Sequence, residues 1–239
     1  MVGIIDIHCH ILPGLDDGPK KMETSMQLLR MEYEQGVRAI IFTPHYRKHF
    51  FETTREDIIR QYMKMHRKIV RSNIRIGTHL GCECHSHHHM VKKLEEETLL
   101  TMAKSSYVLV EFSSRHNYRA IRNQIYELVN HGFQPIIAHI ERYPCMVEDI
   151  DKVEELIDLG AYIQVNAGSV LGEDGRQIKK YCYRLIKKDW VHFIASDAHD
   201  CNDRSPNIGK CAAYIEKKMG NEYARKIFRE NPLKIIRKS

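Results

Sequence analysis

One arrangement recurs along this chain: a helical pattern ends at a glycine, and an apolar run of strand length follows directly. It occurs three times, at residues 28–35 before Gly36 and 37–42, at 121–131 before Gly132 and 134–138, and at 153–159 before Gly160 and 161–165. Glycine just past a helix takes the left-handed conformation that turns the chain back toward a sheet. Repetition of helix, cap and strand is typical of a parallel barrel or a doubly wound sheet. We therefore expect an α/β fold.

The remaining apolar runs complete the expected architecture. They predict four more strands, at residues 3–7, 74–83, 107–111 and 191–196, which makes seven in all. Helical periodicity predicts further helices at 58–70, 91–97, 176–187 and 221–229, and the first of these follows Thr53 and Glu56 in the spacing of a capping box. Because the chain has no low-complexity linker, we expect a single domain over residues 1–239.

Composition limits the class of protein. A chain of 239 residues with 43% apolar residues can bury one large core. No apolar run reaches membrane-span length and the first residues lack a secretory signal, so direct membrane insertion is not expected. Seven cysteines without paired metal-type spacing do not indicate a disulfide framework and favour a cytoplasmic location. The net charge of +6 is spread along the chain, so no nucleic-acid partner is expected.

The first predicted strand ends in a group of metal-binding residue types. Strand alternation places Asp6, His8 and His10 on one face, and Ile5, Ile7 and Cys9 on the other. A His-x-His pair alone is a weak signal, since most such pairs are surface or capping residues. At the end of the first strand of an α/β chain it is a stronger one, because such folds place their chemistry at strand ends.

All seven predicted strands finish in the same way. The potential ligands or hydrogen-bonding groups at the strand ends are, in order, Asp6, His8 and His10 (with Asp16 and Asp17 in the next loop), His45, Glu83, Glu111, His139, Asn166, and Asp197 with His199. Chance would scatter polar residues over both ends of the strands, whereas a barrel active site requires them at the carboxyl ends. For Asp17, Asn166 or Asp197 taken singly, helix capping is an equally good interpretation. Glu83 and Glu111 end apolar runs, and a metal would remove the cost of burying them.

This ligand set indicates a particular chemistry. Mixed imidazole and carboxylate ligands suit Mn, Fe, Co or Zn. Several ions about 3.5–4 Å apart would lower the pKa of a bridging water toward ~7 and so supply hydroxide at neutral pH. Arg142 and Arg204 follow His139 and His199 in the next loops. Either arginine alone is equally well a solvated surface residue, but both together favour phosphate as the bound oxyanion.

These residues resemble the PHP superfamily (polymerase and histidinol phosphatase), and within it the capsule and exopolysaccharide tyrosine-protein phosphatases of Gram-positive bacteria. The stretches that carry the resemblance are 6–19, Thr43-Pro44-His45, 110–112, 137–143, 164–166 and 194–199. They run nearly the full length of the chain. The resemblance implies a distorted (β/α)7 TIM-like barrel in which a metal-bound hydroxide attacks the phosphorus of phosphotyrosine in line. The implied substrate is the tyrosine-rich tail of a bacterial autokinase that controls polysaccharide export.

The resemblance also implies three divalent ions, most often manganese. By position, the first ion would be bound by His8, His10, Glu83 and Asp197, the second by Glu83, Glu111 and His139, and the third by Asp17, His45 and His199. Arg142 and Arg204 would hold the phosphate. Such a site keeps a net positive charge suited to a phosphate dianion. The tyrosine leaving group, with a pKa of ~10, needs little protonation.

One segment departs from the family pattern, and it lies directly after Glu83. It reads Cys84-His85-Ser86-His87-His88-His89, where relatives carry aromatic and polar residues. We interpret the histidines of 85–89 as a solvated loop and assign them no ligand role. Cys82 and Cys84 are expected to point away from the site, toward helices, as small buried apolar groups.

The same residues argue against some other functions and leave others open. A cysteine-dependent tyrosine phosphatase needs a Cys-x5-Arg loop, and none of the seven cysteines has an arginine six positions later. An amidohydrolase usually carries a modified lysine at the end of strand four, where this chain has Glu111. Histidinol-phosphate phosphatase or another PHP phosphoesterase remains the alternative enzyme. A metal-dependent phosphoprotein-binding module without turnover also remains open.

Overall fold

A parallel sheet curled on itself organises the fold. This computed structural model describes residues 3–237, in which nine strands alternate with eleven α-helices. The strands are β1 Ile4–Cys9, β2 Val37–Phe42, β3 His45–Tyr46, β4 Gly77–Leu80, β5 Glu83–His85, β6 Tyr107–Glu111, β7 Gln134–Ile137, β8 Tyr162–Asn166 and β9 Phe193–Ala195. All of their ladder pairings are parallel. The expected α/β class is confirmed.

The helices connect successive strands. They are α1 Met22–Glu34, α2 Arg55–Val70, α3 Met90–Glu95, α4 Tyr118–Asn130, α5 Pro144–Val147, α6 Asp151–Asp158, α7 Ala167–Leu171, α8 Arg176–Lys187, α9 Ile208–Met219, α10 Asn221–Arg225 and α11 Asn231–Arg237. Short 3-10 turns cover Met102–Lys104 and Ile140–Arg142, and a π turn covers Lys226–Glu230. Among these helices, none combines the length and the apolar character needed to cross a membrane.

The strands form two sheets that continue one another. One has the order β1-β2-β4, and the other has the order β3-β5-β6-β7-β8-β9. Phe42 pairs with Leu80 in the first sheet, and three residues further along both runs His45 pairs with Glu83 in the second. The backbone N–H of Gly81 donates to the carbonyl of Phe42 at 2.8 Å across the break. The two sheets therefore share one curved surface.

The last strand returns to the first. Cys9 and Ala198 form a parallel bridge, the N–H of Asp197 donates to the carbonyl of His8 at 2.9 Å, and the N–H of His10 donates to the carbonyl of Ala198 at 2.9 Å. These bonds hold the residues that follow β9 against the end of β1. They join the carboxyl ends of β1 and β9, which is where the candidate ligands of both strands lie.

The strand predicted over 74–83 is wrong in its extent. The structure has two shorter strands there, β4 and β5, separated at Gly81, and an unpredicted two-residue strand, β3, after β2. Pro44 lacks the N–H that an unbroken ladder would need between β2 and β3. At Gly81, a side chain would meet the sulfur of Met102 at 2.7 Å, so the chain bends where only glycine fits.

The helix predictions are confirmed in most places and corrected in one. Gly36, Gly132 and Gly160 all have the left-handed φ angles expected of helix-ending glycines, at 95°, 81° and 106°. The capping residue of α2 is Thr54 rather than Thr53, since the Thr54 hydroxyl accepts from the N–H of Asp57 at 3.2 Å. The helices α5, α7, α9 and α11 were not predicted.

The apolar core has a large part between sheet and helices. Ile125 of α4, Leu156 of α6 and Leu185 of α8 are fully buried in it. Cys82 and Cys84 are buried in the same cluster, as expected from the sequence. A smaller cluster contains Ile5, Ile7, Leu109 and Ile136 together with Ile235 of α11.

Candidate metal centre

The carboxyl ends of the strands surround one cavity of about 220 Å³. Eight of the eleven residues singled out in the sequence line it, and these are Asp17, His45, Glu83, Glu111, His139, Asp197, Arg142 and Arg204. The other three, His8, His10 and His199, are buried within contact distance of its acidic residues. The structure thus brings all eleven side chains together. Which ion each one binds stays a prediction.

The most buried part of the site is formed by β1, β5 and the residue after β9. The Nε2 atoms of His8 and His10 face each other at 3.2 Å. Glu83 Oε2 lies 3.3 Å from the first and 3.2 Å from the second. Asp197 Oδ1 lies 3.4 and 3.5 Å from the same two nitrogens. Two imidazole nitrogens and two carboxylate oxygens thus lie close together. This combination of atoms is a donor set that suits a divalent transition metal.

Glu83 connects this part to the next. Its Oε1 lies 2.9 Å from Nε2 of His139, which is 4.0 Å from Oε1 of Glu111. Its Oε2 also lies 2.9 Å from Nδ1 of His45, although the angles are not those of a hydrogen bond. The two oxygens of the Glu83 carboxylate therefore face imidazole nitrogens of different histidines.

A third group of donors lies nearer the solvent. Asp17 Oδ1 is 3.5 Å from Nε2 of His45 and 3.3 Å from Nε2 of His199. His10 belongs to the same group, because its donor atom and the other three lie within 4.8 Å of one another. His45 has one ring nitrogen toward Asp17 and the other toward Glu83. It therefore stands between two of the three groups, whereas the resemblance implied a role at the third ion alone.

Three of the candidate ligand histidines have one ring nitrogen hydrogen-bonded to the rest of the protein. His10 Nδ1 is 2.7 Å from Asp16 Oδ2, His8 Nδ1 is 3.2 Å from Gln164 Oε1, and His199 Nδ1 is 2.8 Å from the carbonyl of Asp197. Such bonds fix the orientation of the ring, so that Nε2 is left free to bind an ion. Sequence reasoning did not assign these roles to Asp16 and Gln164. It also gave no reason to separate Asp16 from Asp17, whereas the structure places the first behind His10 and the second in the cavity.

Asp6 is not part of the cluster, and the prediction that it shares a face with His8 and His10 is wrong. Its carboxylate accepts from the N–H and the hydroxyl of Ser196, at 3.0 and 2.6 Å. The β1–β2 pairing shifts register between Asp6 and Cys9. Because such a shift re-aims the side chains that follow it, alternation counted from Asp6 does not carry through to His8.

The buried charges alter one another's acidity. Burial opposes ionisation of Glu83, but the positive charges of His8 and His45 outweigh burial and hold the pKa of Glu83 well below its ordinary value. In return, although burial opposes their charge, nearby carboxylates raise the pKa of His8 to about 9 and that of His45 to about 10. Burial and the neighbouring Glu83 raise the pKa of Glu111. These shifts favour charged histidines beside an ionised Glu83.

Orphaned polar atoms show that the residues fit a metal. Glu83 Oε2, Glu111 Oε2, His45 Nδ1 and His199 Nε2 are buried without an acceptable hydrogen-bond partner among the described residues. Leaving such atoms unpaired is costly, and ligation would satisfy them. His139 and Asp197 also take left-handed backbone conformations, with φ of 32° and 52°. Backbone of this kind is unusual outside glycine and concentrates at functional sites.

Two arginines stand at the mouth of the cavity. Arg142 Nη1 is 3.0 Å from Asp197 Oδ2, and Arg204 Nη2 is 3.4 Å from the same oxygen. Arg204 Nη1 also lies 3.1 Å from Asp17 Oδ2. Both arginine side chains are about two-fifths exposed, at 42% for Arg142 and 38% for Arg204. They therefore present donors both to the acidic ligands and to the open side of the cavity. The histidines at 85–89 do not line the cavity.

Fold and site together define a metal-dependent hydrolase built on a curled parallel α/β sheet. The family of capsular polysaccharide synthesis proteins called CpsB/CapC has a sequence model that matches residues 4–237, and the chain belongs to this family. It is 38% identical over 240 residues to the tyrosine-protein phosphatase CpsB of Streptococcus pneumoniae, with 98% of each chain covered.

Solved structures agree with this assignment. The chain is similar to one described under YwqE from Bacillus subtilis and CpsB from Streptococcus pneumoniae, unique metal-dependent tyrosine phosphatases. The TM-score is 0.93 at 30% identity, with 99% of this chain and 95% of that chain covered. The fold alone is also similar to that of a phosphotriesterase homology protein from Escherichia coli, with a TM-score of 0.63 at 14% identity over 98% of each chain.

Proposed function

We propose that this chain is a metal-dependent protein tyrosine phosphatase that acts in capsular polysaccharide synthesis. The observation that carries the proposal is the cavity in which buried histidines and carboxylates lie directly below Arg142 and Arg204. The relatives named tyrosine-protein phosphatases, which the chain matches over nearly its full length, support the same substrate class.

Each group of residues has a distinct part in the reaction. Divalent ions held by the histidines and carboxylates would activate water and neutralise charge on the phosphoryl oxygens. Arg142 and Arg204 bind the phosphate oxygens by paired N–H donors and stabilise the charge that develops on them. Asp16 and Gln164 keep the ligand rings oriented. The phenolate of tyrosine is a good leaving group, so the protein needs no strong general acid there.

The finer details belong to the same proposal. We assign three divalent ions to the site. Manganese is the metal we favour, with Fe, Co or Zn as alternatives. The first takes His8, His10, Glu83 and Asp197, the second takes Glu83, Glu111 and His139, and the third takes Asp17, His45 and His199. We count β2 with β3, and β4 with β5, as single interrupted strands. The sheet then corresponds to a distorted (β/α)7 barrel and one PHP-type domain. The substrate is the tyrosine-rich tail of an autokinase, and the location is cytoplasmic.

Substrate profiling tests the proposal. Protein purified without a histidine tag and loaded with manganese is assayed with a phosphotyrosine peptide and with histidinol phosphate, with phosphate release as the readout. We expect at least a hundredfold preference in kcat/KM for the peptide. The reverse preference would favour a small-molecule phosphatase of the same superfamily. Tight binding of the peptide without phosphate release would indicate a binding module.

A further inference from the structure

Residues 47–51 form a tight turn directly after β3, at the rim of the cavity. The N–H of Arg47 donates to the carbonyl of Phe51 at 2.9 Å, and the N–H of Phe51 donates to the carbonyl of Arg47 at 2.8 Å. Side chains directly opposite in such a pair lie on the same face. Accordingly, both Arg47 and Phe51 line the cavity. Sequence reasoning gave neither residue a role.

Phe51 is chemically unlike the rest of the cavity wall. Among the ten described residues that line the cavity, the other nine are carboxylates, imidazoles or arginines. The Phe51 ring lies parallel to the ring of His45, with an interplanar angle of 9° and a centroid distance of 5.5 Å. This stacking holds the apolar ring beside the metal ligands.

The phosphate and the aromatic ring of phosphotyrosine need different surroundings. A phosphate dianion is matched by cations and arginines, whereas an aryl group gains from contact with an apolar or aromatic surface. Phe51 is the only apolar side chain among the described lining residues. Arg47 adds a guanidinium on the same face, and this group already packs against one aromatic ring, with its Cζ 4.7 Å from the centroid of Phe50.

We propose that Phe51 determines the preference of the site for aryl phosphates, because the tyrosyl ring of the substrate packs against it while the phosphate lies between Arg142 and Arg204. This inference rests on the proposed phosphotyrosine activity and deepens it. An alkyl phosphate such as phosphoserine presents the same charged end but no ring, and so gains nothing from Phe51.

Binding of two phosphonates that are not hydrolysed measures this directly. Titration calorimetry of the manganese-loaded protein gives the Kd of phenylphosphonate and of methylphosphonate, and their ratio isolates the contribution of the ring. In Phe51→Ala we expect the preference for the phenyl compound to fall about tenfold. Phe51→Trp should retain the preference. The matched control is Phe50→Ala, which removes a neighbouring phenylalanine that is 70% exposed, and the ratio should change less than twofold.

Kinetics with a phosphotyrosine peptide give a second readout. Because the ring contact exists before and during the reaction, Phe51→Ala should raise KM more than it lowers kcat. An unchanged phosphonate ratio in Phe51→Ala would overturn the proposal. So would equal weakening of both phosphonates with loss of bound manganese, because Phe51 would then only support His45. A wild-type protein that binds both phosphonates but hydrolyses no phosphotyrosine peptide would instead refute the proposed function.

Discussion

Glu83 shows at the scale of one residue why the site needs metal. Both of its oxygens lie within 3.3 Å of imidazole nitrogens, and the side chain is fully buried. A carboxylate in such a place is stable only while positive charge surrounds it. Protons on the histidines supply that charge in the metal-free protein, and divalent ions would supply more of it. The competition between the two makes the site sensitive to pH.

That competition predicts that the stability of the metal-free protein depends on pH differently from that of the manganese-loaded protein. His8 and His45 have pKa values of about 9 and about 10, above the ordinary 6.5, so they stabilise the metal-free fold fully below pH 6.5 and lose this contribution as the pH rises through 9–10. We expect the Tm of chelated protein to fall by about 5 °C or more between pH 7 and pH 10, relative to manganese-loaded protein. Scanning calorimetry of both forms measures it.

The acidic limb has the opposite sign. The pKa values of Glu83 and Asp197 are lowered in the fold, so their contribution to stability is present above pH ~4 and is lost as the pH falls through their folded pKa values.

The alkaline prediction can be contradicted directly. Parallel Tm curves for the chelated and loaded forms over pH 7–10 would contradict the assignment of His8 and His45 as ligands.

Arg142 gives a second prediction for a single side chain. We expect Arg142→Ala to lower kcat/KM by about 10²–10³-fold, because it removes a donor aimed at developing phosphoryl charge. Metal content, measured by elemental analysis, should stay unchanged. Arg225→Ala is the matched control, because Arg225 forms an exposed ion pair with Glu230 at 2.8 Å and does not line the cavity. The activity of this variant should equal that of the wild type. Loss of metal from Arg142→Ala would make Arg142 structural.

At the scale of elements, the start of α2 offers a test of local stability. The hydroxyl of Thr54 satisfies the N–H of Asp57, which has no partner within the helix. Thr54→Ala should lower the free energy of unfolding by about 1 kcal/mol, measured by urea denaturation, while Thr54→Ser should keep most of it. Equal losses in the two variants would mean that the methyl group, and not the hydroxyl, stabilises this end.

Elements with a strong local cause were predictable, and those set by a neighbour were not. The glycine caps at 36, 132 and 160 follow from backbone sterics alone, so the helices before them and the strands after them could be expected. The break at Gly81 depends on Met102, which is distant in sequence. Helices α5 and α7 have only four and five residues, too few for a periodic pattern.

The site divides in the same way. The candidate ligands could be predicted from their positions at strand ends, because the carboxyl ends of parallel strands meet at one side of the sheet regardless of the loop conformations. The distinction between Asp16 and Asp17 required the three-dimensional position of His10, His45 and His199. The role of Phe51 required the turn at 47–51, whose hydrogen bonds leave no local signal in the sequence.

At the scale of the whole molecule, the chemistry should depend on metal and not on thiols. The seven cysteines are free, five of them are buried, and burial raises the pKa of the two more accessible ones, Cys145 and Cys201. Thiols of this kind are poor nucleophiles. We expect EDTA to abolish phosphatase activity and manganese to restore it, whereas iodoacetamide should leave more than half of the activity. Strong inhibition by iodoacetamide with EDTA harmless would overturn the metal mechanism.

The contact between β9 and β1 has a consequence for how the protein is made. Ribosomes add roughly 5–20 residues per second, so His8 is synthesised roughly 10–40 s before Asp197. During that interval the nascent chain carries His8, His10 and Glu83 but lacks Asp197, the fourth member of their group. The complete group of donors therefore exists only after β9 has docked against β1, and we expect full loading with ions to follow translation.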